Sequence, residues 1–349
     1  MNGNSISDTN IIKEAAQDAN LRREEVYASK PVSFGRRLRR LFWHIFARQF
    51  MLLCVITSTL AGWVGRKKRP IGDEGCEIML TGRFDSKNWI LAHLVPLAES
   101  KECSHLWMVS TNIVPAIPKV EAIYPPKWLV KSIGATPSRL LTFLWAAMRK
   151  RPHIVGGFHI MPNGIAAVIA GRLAGARSIY FSVGGPLEVS DGGVHSEMSY
   201  FRKMETPDPL VEKRLLQVIF KFEMIITMGT RAVKYFHNKG IKANFHVISG
   251  GINTTRFRPV ETIPFYDLVL TGRLVELKRI DVFLQAVKLV VDKIPEVKVL
   301  IAGDGKLLAE LKQMAHDLDI TSHVYFAGHQ NNLENWLQKS KIFVLTSDS

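Results

Sequence analysis

From Cys76 onward the chain alternates short apolar runs with longer amphipathic stretches, and few architectures accept that pattern. The runs are Cys76–Thr81, His105–Val109, His153–Gly157, Ser178–Val183, Met224–Met228, Phe245–Ile248, Leu268–Thr271, Val297–Ala302, Val324–Ala327 and Ile342–Thr346. Many are β-branched and apolar at every position, as strands are when helices cover both faces of a parallel sheet. Helical segments at Pro137–Lys150, Asn163–Leu173, Arg279–Lys293 and Leu307–Leu318 lie between them. The expected class is therefore α/β, doubly wound. With 349 residues the chain is long enough for two such domains. The stretch FRPVETIP, residues 257–264, breaks the alternation with two prolines. It sets the expected domains at 74–256 and 257–349.

The net charge of +15 raises the question of a polyanionic partner, and its placement argues against nucleic acid. Between Phe34 and Pro70 there are nine basic residues and no acidic one, and they bracket the apolar run FMLLCVITSTLAGWVG, 50–65. Nucleic-acid sites interleave cations with exposed stacking aromatics, and a continuous apolar segment does not. On a helical wheel Arg37, Arg40, His44 and Arg48 share one side, with Leu38, Phe42, Ile45 and Phe46 opposite. The expectation is a membrane-associating segment, 34–70, on the anionic inner face of a membrane. The alternative is a helix buried in the body with a solvated basic face. Seventeen uncharged positions from Gln49 to Gly65 are at the lower edge of a bilayer span. About 35 polar residues precede the apolar run and no small-residue cleavage site follows, so it is not a secretory signal. Residues 1–33 read as a polar tail. Deleting 1–70 is expected to leave the α/β body folded. Three cysteines without C-x-x-C spacing fit neither a disulfide scaffold nor a zinc site.

Several of the strands end in glycine turns. Gly272-Arg273-Leu274 follows Leu268–Thr271, and Lys278 stands five residues beyond Arg273. Cations beside a helix start are unfavourable unless an anion compensates them, which points to a diphosphate. Gly303-Asp304-Gly305 and Phe326-Ala327-Gly328 end the next two strands. A dinucleotide fingerprint is incomplete there, because position 308 is Leu, so a nucleotide-dependent oxidoreductase ranks last. In the first domain His159 follows the strand at 153–157, and Gly184 and Gly185 end the one after it. The carboxyl ends of such strands are where open α/β sheets bind ligands.

These segments carry a resemblance. GRLVELKRIDVFLQAVKLV, PEVKVLIAGDG, VYFAG and IFVLTS, with VISGGINTTRFRP before them, resemble the GT-B retaining glycosyltransferase family 4 over about 150–349. The resemblance implies a GT-B fold of two Rossmann-like domains facing a cleft, the first on the acceptor side and the second binding a nucleotide diphospho-sugar. It implies a retaining, hexosyltransferase-type reaction without a metal or other cofactor. Arg273 and Lys278 match the diphosphate pair; Gly272, Gly303, Asp304, Gly305 and Gly328 match the nucleotide and sugar loops. His159 matches a cleft histidine, the catalytic candidate, and Gly184 and Gly185 fall in the acceptor-side loop. Two departures stand out. Many relatives carry a sugar-contacting His where Gly184 stands. The family's E-x7-E motif should begin just after Ser349, so the sequence reads as truncated. No Asp-x-Asp metal pair is expected. The partners implied are a nucleotide-sugar donor, a lipid-linked or glycan acceptor of envelope polysaccharide or glycolipid synthesis, and an anionic membrane surface on the cytoplasmic side. The alternatives are a membrane-tethered, non-catalytic nucleotide-sugar binder and a nucleotide-sugar epimerase of the same fold.

Overall fold

The computed structural model describes residues 34–84, 86–196 and 199–347; the polar tail lies outside them. These residues divide into two compact units, the first ending at Ile252 and the second beginning at Asn253. The first holds a seven-stranded, all-parallel sheet of order β3-β2-β1-β4-β5-β6-β7. Its strands are β1 (Cys76–Thr81), β2 (Cys103–Val109), β3 (Val120–Ile123), β4 (Ile154–Phe158), β5 (Arg177–Ser182), β6 (Met224–Thr227) and β7 (Asn244–Val247). The period of two in each strand divides the core. Met79, Trp107, Val155, Tyr180 and Ile225 face one cluster, whereas Ile78, Leu80, Leu106, Met108 and Phe181 face another. Both faces are thus buried, which is why these strands read as unbroken apolar runs. Strand β3 escapes the sequence pattern because it is a short edge strand that carries Glu121.

The second unit contains a parallel sheet of order β10-β9-β8-β11, from β8 (Tyr266–Thr271), β9 (Val299–Ala302), β10 (Val324–Gly328) and β11 (Ser340–Phe343). Its core is Leu270, Ile301 and Val324 beneath the helices at Ile280–Val291 and Leu308–Asp317.

Helix α1 (Phe34–Trp63) changes the expected organisation. Its 30 residues span about 45 Å at 1.5 Å per residue. It belongs to the first unit and is no appendage: Ala47, Met51 and Cys54 are buried in the cluster on one sheet face, with Met51 fully enclosed. The helix packs against Ile165–Ala174 on one side and Pro209–Ile219 on the other. Its basic side faces the protein. Arg36, Arg39 and Arg40 meet Glu205 at 2.9, 3.1 and 3.1 Å. His44 and Arg48 meet the fully buried Asp208 at 2.6 and 2.8 Å. Farther along, Lys221 donates to the Val55 carbonyl, Ser58 Oγ and Thr59 Oγ1, and Arg172 to the Ser58 carbonyl. Burial lowers Lys221 to about 8, and the Arg172 charge adds to this.

Two sequence expectations are corrected. The side carrying Arg40, His44 and Arg48 is bonded to the body and is not a free basic face, because Glu205 and Asp208 lie against it, although Arg48 keeps 43% of its side chain exposed. A body without residues 1–70 would lose the buried surface of α1 and expose the core beneath it.

Burial alone would raise the Asp208 carboxyl, but hydrogen bonds from His44, the Val211 amide and Arg48 outweigh it and hold it below its ordinary value. Glu205 is held down likewise by its three arginines. Groups depressed on folding contribute stability above their unfolded values and lose it as pH falls through the folded ones. The attachment of α1 should therefore weaken below about pH 4. Hydrogen exchange along 40–60 should accelerate there before that of β1 and β4. Met51→Ala should cost about 2–5 kcal/mol in denaturant melts, and an unchanged midpoint would contradict the burial of α1.

Candidate functional site

Each unit places its candidate residues at the carboxyl ends of its parallel strands, and each rim is built differently. In the second unit the loops after β8, β9 and β10 are stitched together by the backbone. The Gly272 amide donates to the Ala302 carbonyl at 3.0 Å, Leu274 to Asp304 at 2.9 Å, and Gly303 to Gly328 at 2.8 Å. A Cβ at Gly303 would run into the Gly272 carbonyl oxygen, and one at Gly305 into that of Leu274. Glycine is required here for close approach of two backbones, beyond any freedom in the turn. The structure thus brings Gly272, Gly303, Asp304, Gly305 and Gly328 to one rim. Arg273 is exposed on it, and the stem of Lys278 lies against Gly272, about one van der Waals contact from where a Cβ would be. Lys278 closes a 3₁₀ turn, Glu276–Lys278, and the following helix begins at Ile280. Its carbonyl accepts from Thr346 Oγ1 at 3.0 Å, tying the turn to the residues after β11.

An Asp-x-Asp pair does occur, against expectation: Asp317-Leu318-Asp319. It ends the helix between β9 and β10, at the sheet edge opposite the rim, and Asp317 accepts from Gln313. Among the described residues no three His, Cys, Asp or Glu side chains gather as metal ligands.

The rim of the first unit centres on His159, which directly follows β4 with φ +64°. A non-glycine residue in that region is held there by its surroundings. Here the holder is Glu188, which sequence reasoning passed over. Its carboxylate is almost fully buried and takes four donors: His159 Nδ1 at 3.0 Å, the Ile160 amide at 2.7 Å, Tyr180 Oη at 2.9 Å and the Gly184 amide at 2.6 Å. Burial, then the Glu188 charge, push the Tyr180 hydroxyl well above its usual value, so it stays a donor. Facing a carboxylate, Nδ1 is the donor; in the neutral ring Nε2 is then the acceptor nitrogen. The ring keeps 28% of its side-chain surface exposed.

Glu188 also accounts for Gly184. A Cβ at 184 would lie 2.9 Å from Glu188 Cγ, so the space for a side chain there is taken by the carboxylate arm. Gly185 has open space about it. The signal for Glu188 was present: it is the first acidic residue after Glu121 and closes the turn that begins at Gly185. The glycine-rich loop at 191–193 has a structural role, since the Asp191 carbonyl accepts from the Asp208 amide and its own amide donates to Glu212.

With both rims in place, the likeness to known proteins has a physical setting. Residues 255–349 match the family of glycosyl transferases group 1. An uncharacterized glycosyltransferase of Methanocaldococcus jannaschii is 36% identical over 76 residues, 22% of this chain and 19% of that one. The poly(glycerol-phosphate) alpha-glucosyltransferase of Bacillus subtilis is 29% identical over 116 residues, 30% of this chain and 17% of that one. The chain thus spans under a fifth of the length of these curated relatives in the matched regions. Anabaena HepE, solved with UDP-glucose, superposes with a TM-score of 0.54 at 15% identity, covering 78% of this chain and 74% of that one. At that identity the likeness speaks for the fold, and the fold is that of the GT-B glycosyltransferases.

The Gly184–Glu188 relation makes a prediction about coupling. Gly184→His should destabilise the first unit by about 1–3 kcal/mol through overpacking against Glu188. Glu188→Ala should cost a similar amount by orphaning buried donors. In the double variant the two costs should fall short of their sum by more than about 1 kcal/mol, because one change makes room for the other. Additive costs in thermal or denaturant melts would mean that the arm of Glu188 does not exclude a side chain at 184.

Proposed function

We propose that the chain carries the donor and acceptor halves of a glycosyltransferase. It would move a sugar from a nucleotide diphospho-sugar to a lipid-linked or glycan acceptor in cell-envelope polysaccharide or glycolipid synthesis, at the cytoplasmic face of the membrane. The observation that carries this reading is the second rim: three strand-end loops held in backbone contact, with Arg273 and Lys278 on the first of them, inside the segment that matches the group 1 family. Arg offers a planar fork and Lys a point charge, and together they suit two phosphoryl groups. Charge that builds on the departing diphosphate would be met by these cations, in place from the start. With the leaving group so compensated, no divalent metal is required, and the anomeric configuration is retained as in the family resembled. His159, held through Nδ1 by Glu188, would bind a sugar hydroxyl in the first unit. The UDP-glucose bound to the Anabaena protein makes UDP the nucleotide to test first.

Titration calorimetry with UDP tests the reading. Arg273→Ala and Lys278→Ala should each weaken binding by about 1.5–3 kcal/mol, the scale of a charged hydrogen bond. EDTA should leave UDP affinity unchanged. Equal affinity in both variants would remove the pair from the donor site, and loss of binding with EDTA, restored by Mg²⁺ or Mn²⁺, would contradict the metal-free reading.

A further inference from the structure

Helix α1 exposes what most soluble helices bury. Leu38, Phe42, Ile45, Leu53, Ile56 and Leu60 lie along its outer side, each between 45% and 59% exposed. The side opposite is fixed to the body along the whole length: at Glu205 and Asp208 early, at Met51 midway, and at Lys221 and Arg172 late. A helix so held cannot turn its apolar side inward. It cannot cross a bilayer either, since the run 50–65 that would be immersed includes Met51, Cys54, Ser58 and Ala61, all buried in the protein.

A second apolar stripe belongs to the same layer. The helix Ala135–Lys150 buries Phe143, Ala146 and Ala147 in the same core cluster as α1, and Ile165–Ala174 packs against both helices. Their buried sides share one sheet face, so their outer sides lie on one side of the unit. There Leu141, Trp145 and Met148, spaced at helical intervals, are exposed, Trp145 by 61%. Trp128 on the preceding short helix, Lys127–Ile133, is 67% exposed.

The chain segments that carry the two stripes hold charge of one sign. No acidic residue occurs from Phe34 to Gly72, nor from Ala122 to Leu187, although the chain has 31. Exposed cations occur in the same segments: Arg37 before and Lys67 after the first stripe in the chain, and Lys127, Lys131 and Arg149 in the segment of the second. Two copies of such a face would repel one another, whereas apolar surface accompanied by cations matches acyl chains beneath anionic headgroups.

We infer that α1 and the helix Ala135–Lys150 together form an in-plane docking face for an anionic lipid bilayer, met through their apolar stripes with the body's polar contacts left intact. This deepens the membrane placement in the proposed function. Its test is separate, because vesicle binding needs neither donor nor transfer.

The experiment is flotation of the full chain with phosphatidylcholine vesicles, with and without 30% phosphatidylglycerol as the probe lipid. Binding to the mixed vesicles is expected. High salt should weaken it without releasing the protein, because insertion is not screened. Phe42→Glu with Ile56→Glu should lower the bound-to-free ratio by about tenfold or more, and Leu141→Glu with Trp145→Glu should also lower it. All four positions are exposed, so thermal melts should match the parent chain. Flotation unchanged by both pairs would overturn the inference, as would complete release by salt. Variants that turn a dimer into a monomer and leave flotation as it was would assign the face to a second copy and overturn it too.

Discussion

A buried carboxylate fixes which way the first unit faces. Asp208 is fully enclosed, and a charge in that position needs partners on every side. It accepts from the Leu210 and Val211 amides, capping the helix that begins at Pro209, and it holds His44 and Arg48 of α1. One group thus serves a helix start and the attachment of another helix. Because α1 must present Arg40, His44 and Arg48 to Glu205 and Asp208, geometry leaves its apolar side outward. From Ala47 to Ala61 the helix is apolar on its inner side as well, so the exposed row is surplus to the core, and a lipid surface is the surrounding in which that exposure costs least.

The two rims solve ligand approach by different chemistry. The second unit removes side chains: Gly303 and Gly305 let adjacent loops touch and bond through their amides, which leaves the cations Arg273 and Lys278 on the first of these loops. The first unit does the opposite and fills the space below the rim with the arm of Glu188, which orders His159, the Ile160 amide and the Gly184 amide at once. A histidine at 184 and a carboxylate at 188 compete for one volume, so the glycine at 184 reads as the consequence of Glu188.

Legibility from sequence followed the range of the interactions. The strands were readable because burial on both faces makes each an apolar run, and the observed bounds fall within a few residues of the expected ones. Strand β3 was not, since its edge position admits Glu121 and shortens it. The glycine rim was readable because three strands end alike. The periodicity of α1 was readable too, with Arg40, His44 and Arg48 opposite Leu38, Phe42 and Ile45. Which side meets the protein was not, because Glu205 and Asp208 lie more than 150 positions away in the chain. Glu188 hid for a related reason: its meaning comes from His159, 29 residues earlier, and from Tyr180 on the intervening strand.

The orientation of α1 on a bilayer is measured most directly by nitroxide labels placed singly along 38–60, read by collision with oxygen and with a water-soluble nickel complex in the presence of anionic vesicles. An in-plane helix predicts similar, shallow immersion at Leu38, Phe42, Ile45, Leu53, Ile56 and Leu60, with Ala47 and Cys54 shielded from both reagents by the protein. A depth that grows steadily from Leu38 and then falls towards Leu60 would mean a spanning helix. Immersion at Arg40 and His44 with Phe42 and Ile56 shielded would mean a helix docked the other way round, and either pattern would contradict an α1 held by its charges with its apolar side to the lipid.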